Sequence, residues 1–180
     1  MKEKNRIIWV FEGSAAGKEQ FIHYIVKEKP AALLKRLGWD DTSITICNES
    51  IAWIGMSKKD INIKKRVALP NIILSMITKK PSVILIKGQD VDFRYDSLLL
   101  TKKLLPFANH EIIFLHTPIK IAYERWSNKP WKKFWYTKIT VKVWLKYQLS
   151  KIHDLQGEFP ITSLNSNDTN YNAIAFPPKL

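Results

Sequence analysis

Glu12-Gly13-Ser14-Ala15-Ala16-Gly17-Lys18-Glu19 follows a short apolar run, Ile7 to Phe11, and leads into a stretch of helical periodicity. Phe21, Ile22, Ile25 and Val26 fall on one side of that stretch, as a buried helix face requires. The local order is therefore strand, small-residue turn, helix. Small side chains let a ligand come close to the backbone of such a turn. The first turn of the helix offers unpaired N–H groups, and its dipole favours negative charge there. Lys18 adds a long, mobile cation at the same place. The stretch predicts an anion held where the first strand passes into the first helix.

Outward from this unit the same alternation repeats. The first helix is expected to break at Pro30, resume through Leu33, Leu34 and Leu37, and stop at Gly38. Ser43 to Cys47 reads as a second strand, and helical periodicity runs from about Asp60 to Lys79, with a bend expected at Pro70. Ser82 to Lys87 is a continuous apolar strand, suited to burial on both faces of a parallel sheet. Ser97 to Phe107 reads as a helix, Glu111 to His116 as a strand, and Pro118 to Arg125 as a short helix opened by proline. Thr137 to Leu155 is a longer helix, Pro160 to Leu164 the last strand, and the tail is expected to be irregular. Strands alternating with helices predict an α/β domain over residues 1–180, with a mostly parallel sheet of about five strands and helices on both faces. Ligands in such sheets bind beyond the carboxyl ends of the strands, so chemistry is expected just after Phe11, Cys47, Lys87 and His116.

Composition narrows the possibilities. Hydrophobic residues make up 46% of the 180, enough for a packed core, and charged residues make up 25%. The single cysteine, Cys47, excludes an internal disulfide framework and a cysteine-rich zinc site. No apolar run approaches the roughly 20 residues of a membrane helix, so no membrane partner is expected. The amino terminus lacks a small-residue cleavage site, and a cytoplasmic location is expected, in the host cytoplasm if the protein is viral. Lys and Arg number 29 against 16 Asp and Glu, a formal +13. That excess points to an anionic partner, although solubility or an A·T-rich genome gives the same balance.

The opening turn resembles a phosphate-binding P-loop, G-x-x-x-x-G-K-[ST], in its required context of strand and helix. Gly13, Ser14, Ala15, Ala16, Gly17, Lys18 and Glu19 are its candidate nucleotide-binding residues, and Lys18 is a candidate catalytic residue. Two departures stand out. Gly13 precedes Gly17 by four positions where five is usual, a shortfall that Glu12 can make up by taking the first loop position. Glu19 stands where a Ser or Thr hydroxyl normally meets Mg²⁺. The plainer alternative is a Gly/Ala turn feeding an amphipathic helix, with Lys18 as a solvated first-turn lysine.

Val10-Phe11-Glu12-Gly13 with Ala16-Gly17-Lys18 is similar to the opening of deoxynucleoside, thymidylate and other nucleoside-monophosphate kinases, and to polyphosphate-dependent nucleotide kinases. The resemblance implies a three-layer P-loop kinase fold, ATP as phosphoryl donor and Mg²⁺ as its metal. Further segments agree in order along the chain. Asn48-Glu49-Ser50-Ile51-Ala52-Trp53 is similar to a segment whose glutamate acts as base beside the substrate hydroxyl, which places Glu49 in that role and Trp53 beside substrate. Gly88 to Ser97 is similar to an acidic–arginine segment, with Asp90 or Asp92 supporting Mg²⁺ and Arg94 clamping a phosphate; a polar loop capping the next helix reads equally well. Thr117-Pro118 with Glu124-Arg125 looks like the start of the lid of those kinases, about 126–136 here, with Arg125 as its first candidate cation and Lys129, Lys132 and Lys133 after it.

The charge excess is concentrated. Arg125 to Lys151 carries eight Lys/Arg and no Asp or Glu, interleaved with Trp, Tyr and Phe. Lys138, Lys142 and Lys146 recur every four residues and stack on one helix face, where they repel one another unless an anion lies along them. Lysines among stackable aromatics form the pattern of a nucleic-acid surface. The alternative makes Val141, Trp144, Leu145, Leu149 and Ile152 the core face and the lysines its wet side. His116 ends a strand near the site and is expected to satisfy a backbone group, and Cys47 is expected to be core. Together these readings predict an ATP-dependent P-loop kinase acting on a nucleoside, nucleotide or nucleic-acid-borne acceptor, such as a modified base or end in DNA, including the bacteriophage kind. The second reading is a catalytically impaired P-loop protein that binds nucleotide or nucleic acid without transfer.

Overall fold

The computed structural model describes residues 5–12, 17–48, 69–77, 80–87, 95–127 and 138–176. Strands β1 (Arg6–Glu12), β2 (Ser43–Asn48), β3 (Ser82–Lys87), β4 (Asn109–His116), β5 (Ile161–Asn165) and β6 (Ala173–Ile174) form one sheet in the order β2-β3-β1-β4-β5-β6. All pairs are parallel except β5 with β6. The strands are apolar on both faces because both faces are covered. Ile7, Trp9 and Phe11 of β1, Ile84 and Ile86 of β3, and Ile112 and Phe114 of β4 pack one face against the helical residues 69–76 (α3), against α4 (Tyr95–Leu104) and against α6 (Lys138–Asp154). Ile8, Val10, Val83, Leu85, Ile113 and Leu115 pack the other face against α1 (Lys18–His23) and α2 (Ala31–Leu37). Each such side chain, fully buried, contributes about 1.5–3 kcal/mol. Helix α5 (Ile119–Ser127) follows β4 and precedes α6 in the chain.

The expected break near Pro30 is a turn of π-helix, Tyr24–Glu28, closed by Lys29 in the left-handed region at φ 47°. Gly38 ends α2 at φ 66°, as predicted. Helix α4 stops at Leu104, short of the expected Phe107, because Pro106 drives Leu105 out of helical geometry. The freed residues let β4 begin at Asn109, whose N–H donates to Asn5 O at 2.8 Å, so the strand is two residues longer than the apolar run suggests. Pro70 lies in the first described turn of α3, and the stretch before it is outside the described residues. The tail corrects the expectation of irregular chain. Ala173 and Ile174 add a sixth, antiparallel strand, and Phe176 meets Phe114 edge-on with ring centroids 6.2 Å apart.

Strand order locates the ligand crevice. The chain leaves β1 for β2, on the far side of β3, and leaves β3 for β4, on the far side of β1. The two connections part in opposite directions between β1 and β3, and that is the switch point beyond which α/β sheets bind ligands.

Candidate functional site

The turn singled out in the sequence opens at this switch point. Glu12 ends β1, and Gly17 precedes α1 at φ 83°, a backbone conformation natural to glycine and strained for any side chain. Gly13, Ser14, Ala15 and Ala16 lie outside the described residues. Lys18 is only 8% exposed, so it is not the solvated first-turn lysine of the plainer reading. Burying an ammonium demands a partner. Glu12 provides one: its Oε2 accepts the Lys18 backbone N–H at 2.9 Å, and its Oε1 lies 3.8 Å from Lys18 Nζ. The carboxylate thus spans the loop from the strand side and meets the two kinds of donor a phosphate would use.

The position after the lysine is also engaged. Glu19 forms an ion pair with Lys87, the last residue of β3, across the switch point. Mg²⁺ is the metal that the resemblance implies. A metal on Glu19 would have to displace the Lys87 ammonium, and the position offers no hydroxyl. Asp90 and Asp92 lie outside the described residues, and among the described residues no group of three metal-ligating side chains is present. The described residues at this position do not fit a magnesium site.

On the other side of β1, the ends of β4 and β5 meet. Ser166 donates its N–H at 2.9 Å and its hydroxyl at 3.0 Å to His116 O, and its hydroxyl also pairs with Thr117 Oγ1. The His116 ring departs from expectation. It is buried, its Nδ1 has no hydrogen-bond partner among the described residues, and burial pushes its pKa below the usual histidine value. Arg125, the first lid cation, donates from Nη2 to Asn167 Oδ1 at 3.0 Å, which ties the end of α5 to the loop after β5. That loop was not legible beforehand. It is fixed to α2 by Arg36, which donates to Asn170 O at 2.9 Å and to Asn172 Oδ1 at 3.1 Å. Tyr171, in the left-handed region at φ 48°, stacks on Tyr24 and meets Phe21 edge-on. Burial raises the Tyr171 hydroxyl above its ordinary pKa, and the nearby Arg125 charge draws it part of the way back.

Helix α6 reaches the same centre from below. With its amide oriented to satisfy both neighbours, the buried Gln148 donates to the Glu12 carbonyl oxygen at 2.7 Å and accepts from Trp144 Nε1 at 2.8 Å. Val141, Leu145, Leu149 and Ile152 form the core face, and Trp144 is half-buried. Lys142 and Lys146 stand exposed on the outer face, and Lys138 opens the helix. Ile139 and Val143 are exposed beside them, at 75% and 61%. Glu49, Trp53, Arg94, Lys129, Lys132 and Lys133, with most of the expected lid, lie outside the described residues. Cys47 is buried in β2, as expected. Two clefts, of about 430 and 300 Å³, open near Glu111, one beside His110 and one beside Arg6. The first lies at the amino ends of β4 and β5, and the second runs from the start of β1 along β4 and β5 beside α2; neither is lined by Glu12, Lys18 or Lys87, so neither is taken as the phosphate site. No helix among the described residues is long and apolar enough to cross a membrane.

No protein-family model matches the chain, and no curated protein matches it. Solved structures do share its fold. A structure of the Pnkp1/Rnl/Hen1 RNA repair complex aligns over 97% of this chain at 8% identity, with a TM-score of 0.55. The chain spans about half of that protein, 49%. A structure from the PezAT chromosomal toxin–antitoxin system of Streptococcus pneumoniae aligns over 97% of this chain and 72% of its own at 12% identity, with a TM-score of 0.51. Shikimate kinase from Acinetobacter baumannii is similar over 93% of this chain and 87% of its own at 13% identity, with a TM-score of 0.49. With the strand order, the likeness of the first two shows the fold: an α/β domain in three layers, a mostly parallel sheet with helices on both faces.

Proposed function

We propose that the protein is a P-loop phosphotransferase that moves the γ-phosphoryl group of ATP to a hydroxyl or phosphate of a nucleoside, nucleotide or nucleic-acid-borne acceptor. The observation that carries this reading is Lys18, 8% exposed at the start of α1, beyond the strand that flanks the switch point. A lysine kept out of water at the start of a helix, where the helix dipole favours negative charge, is organised for a polyphosphate. Arg125, held at the end of α5 by Asn167, is the cation that would meet charge developing on the transferred group. The acceptor side rests on the family resemblance: Glu49 as base, Trp53 against the acceptor, Arg94 as clamp, and Asp90 or Asp92 toward a metal.

An acceptor carried on a polymer is favoured by α6. Its outer face bears Lys142 and Lys146, while Gln148 on its inner face bonds to the residue that opens the loop. Six residues of helix separate Lys142 from Gln148, about 9 Å of rise, so a strand lying on the lysines would pass close to the donor phosphates.

The test is a transfer assay with γ-labelled ATP and acceptors running from free nucleosides through nucleotides to single-stranded and duplex DNA and RNA. The expected result is label on one acceptor class, lost in Lys18→Ala. Undiminished transfer by Lys18→Ala would remove the loop from the mechanism. ATP binding without label on any acceptor would favour a protein that binds nucleotide without transfer.

A further inference from the structure

We propose that Lys87 is a second phosphate-binding cation of the loop, held in waiting by Glu19, and that it takes the place of the metal at the position after Lys18. The inference rests on the phosphate-binding reading of the loop.

Three observations lead to it. Lys87 ends β3 at the switch point, beside β1. By strand periodicity it shares a face with Val83 and Leu85, the face covered by α1, so its side chain lies on the side of the sheet from which the loop helix springs. The Glu19–Lys87 ion pair joins that strand end to the helix at the residue where a hydroxyl would otherwise hold Mg²⁺.

The two partners are unequally solvated. The Lys87 side chain is 28% exposed and the Glu19 side chain 68%. A partly desolvated ammonium acts more strongly on its neighbours than one in open water. An exposed carboxylate gains little from such a pair and is readily given back to solvent. An incoming polyphosphate is a better partner for Lys87 than Glu19 is, because it brings more negative charge and several acceptor oxygens. On binding, Lys87 would exchange Glu19 for a phosphate oxygen while Glu19 turns outward. Lys18 and Lys87 would then flank the phosphate from helix and strand, and nucleotide binding would not depend on a divalent ion.

Equilibrium binding of ATP to the full chain, in EDTA and in MgCl₂, tests this. Wild-type protein is expected to bind ATP in EDTA within about threefold of its affinity in MgCl₂, and Lys87→Met to weaken binding in EDTA by at least about tenfold. Glu19→Gln, a change at an exposed side chain, is expected to tighten binding in EDTA by a few-fold, because it frees the ammonium. Binding by the wild type only in MgCl₂, unchanged affinity in a folded Lys87→Met, or loss of binding in Glu19→Gln each overturns the proposal. If Lys18→Ala abolishes binding while Lys87→Met does not, the inference fails and the loop reading stands. If Lys18→Ala binds ATP as the wild type does, both fail.

Discussion

Glu12 holds Lys18 at two points, the backbone N–H at 2.9 Å and the ammonium at 3.8 Å. One carboxylate therefore rests on the two groups that a bound phosphate would claim. Glu12→Gln removes the charge with little change of shape. The fold is expected to lose about 1–2 kcal/mol, since hydrogen bonds to charged groups are worth more than neutral ones. Affinity for pyrophosphate is expected to rise, because the internal competitor is gone. Chemical denaturation and calorimetric titration read the two effects separately. A loss of pyrophosphate affinity would mean that Glu12 shapes the loop and does not compete for it.

Gly17→Ala should act through the backbone. A Cβ would approach Gln20 Oε1 to 2.9 Å, but that amide end is flexible and can move away. The φ of 83° cannot be relieved in the same way. The expected cost is about 1–2 kcal/mol, a drop in Tm of about 2–8 °C, with weaker nucleotide binding. Melting curves with and without ATP would show a smaller ligand-induced shift in the variant.

His110 and His116 set an acid limit on stability. Burial lowers both below the ordinary histidine value of 6.5; at His110 the Leu105 carbonyl opposes this in part, and Lys102 adds to the lowering. A depressed folded-state pKa means that the unfolded chain takes up protons first. The contribution to stability is therefore complete above the unfolded value and is lost as pH falls from about 6.5 through the folded-state values. Tm is expected to fall between pH 7.5 and pH 5.5, and His116→Gln to flatten that slope. An unchanged slope in both His116→Gln and His110→Gln would assign the acid sensitivity to other groups.

Lys142 and Lys146 carry the expectation of polynucleotide contact. The double change to Gln is expected to weaken DNA binding and to reduce the slope of log K against log salt by about 1.4 on a single strand or 1.8 on a duplex, one counterion per lost phosphate contact. Both residues are exposed and far from the core, so Tm should hold. Salt-independent binding by the wild type would remove the surface from consideration.

The strand and the helix on either side of residues 13–16 were legible because every level of the chain agrees there. The apolar run and the helix-forming run point to one order of elements, whereas the burial of Lys18 against Glu12 is a contact that order alone does not give. The core face of α6 was legible for the same reason, in the spacing of Val141, Leu145, Leu149 and Ile152. Lys87 was not. It closes an apolar run, and the strand-end rule places chemistry just after it. Its meaning depends on the ion pair with Glu19, and a contact between residues so far apart in sequence has no local signature. The Arg125–Asn167 bond and the role of the 166–172 loop were hidden in the same way. β6 was hidden because two residues carry no periodicity.

The chain after β5 passes around the edge of the sheet. Tyr171 packs among Phe21 and Tyr24 on one side, β6 pairs with β5 along the rim, and Phe176 reaches Phe114 on the other. A parallel strand at a rim is an open template for pairing with a second molecule. Here the rim is occupied by two residues of the protein's own tail, too few to pass the invitation on, anchored by an aromatic ring on each side. Loss of that segment would uncover a sticky strand and two apolar pockets at once, and its most visible symptom would be aggregation before any loss of ligand binding.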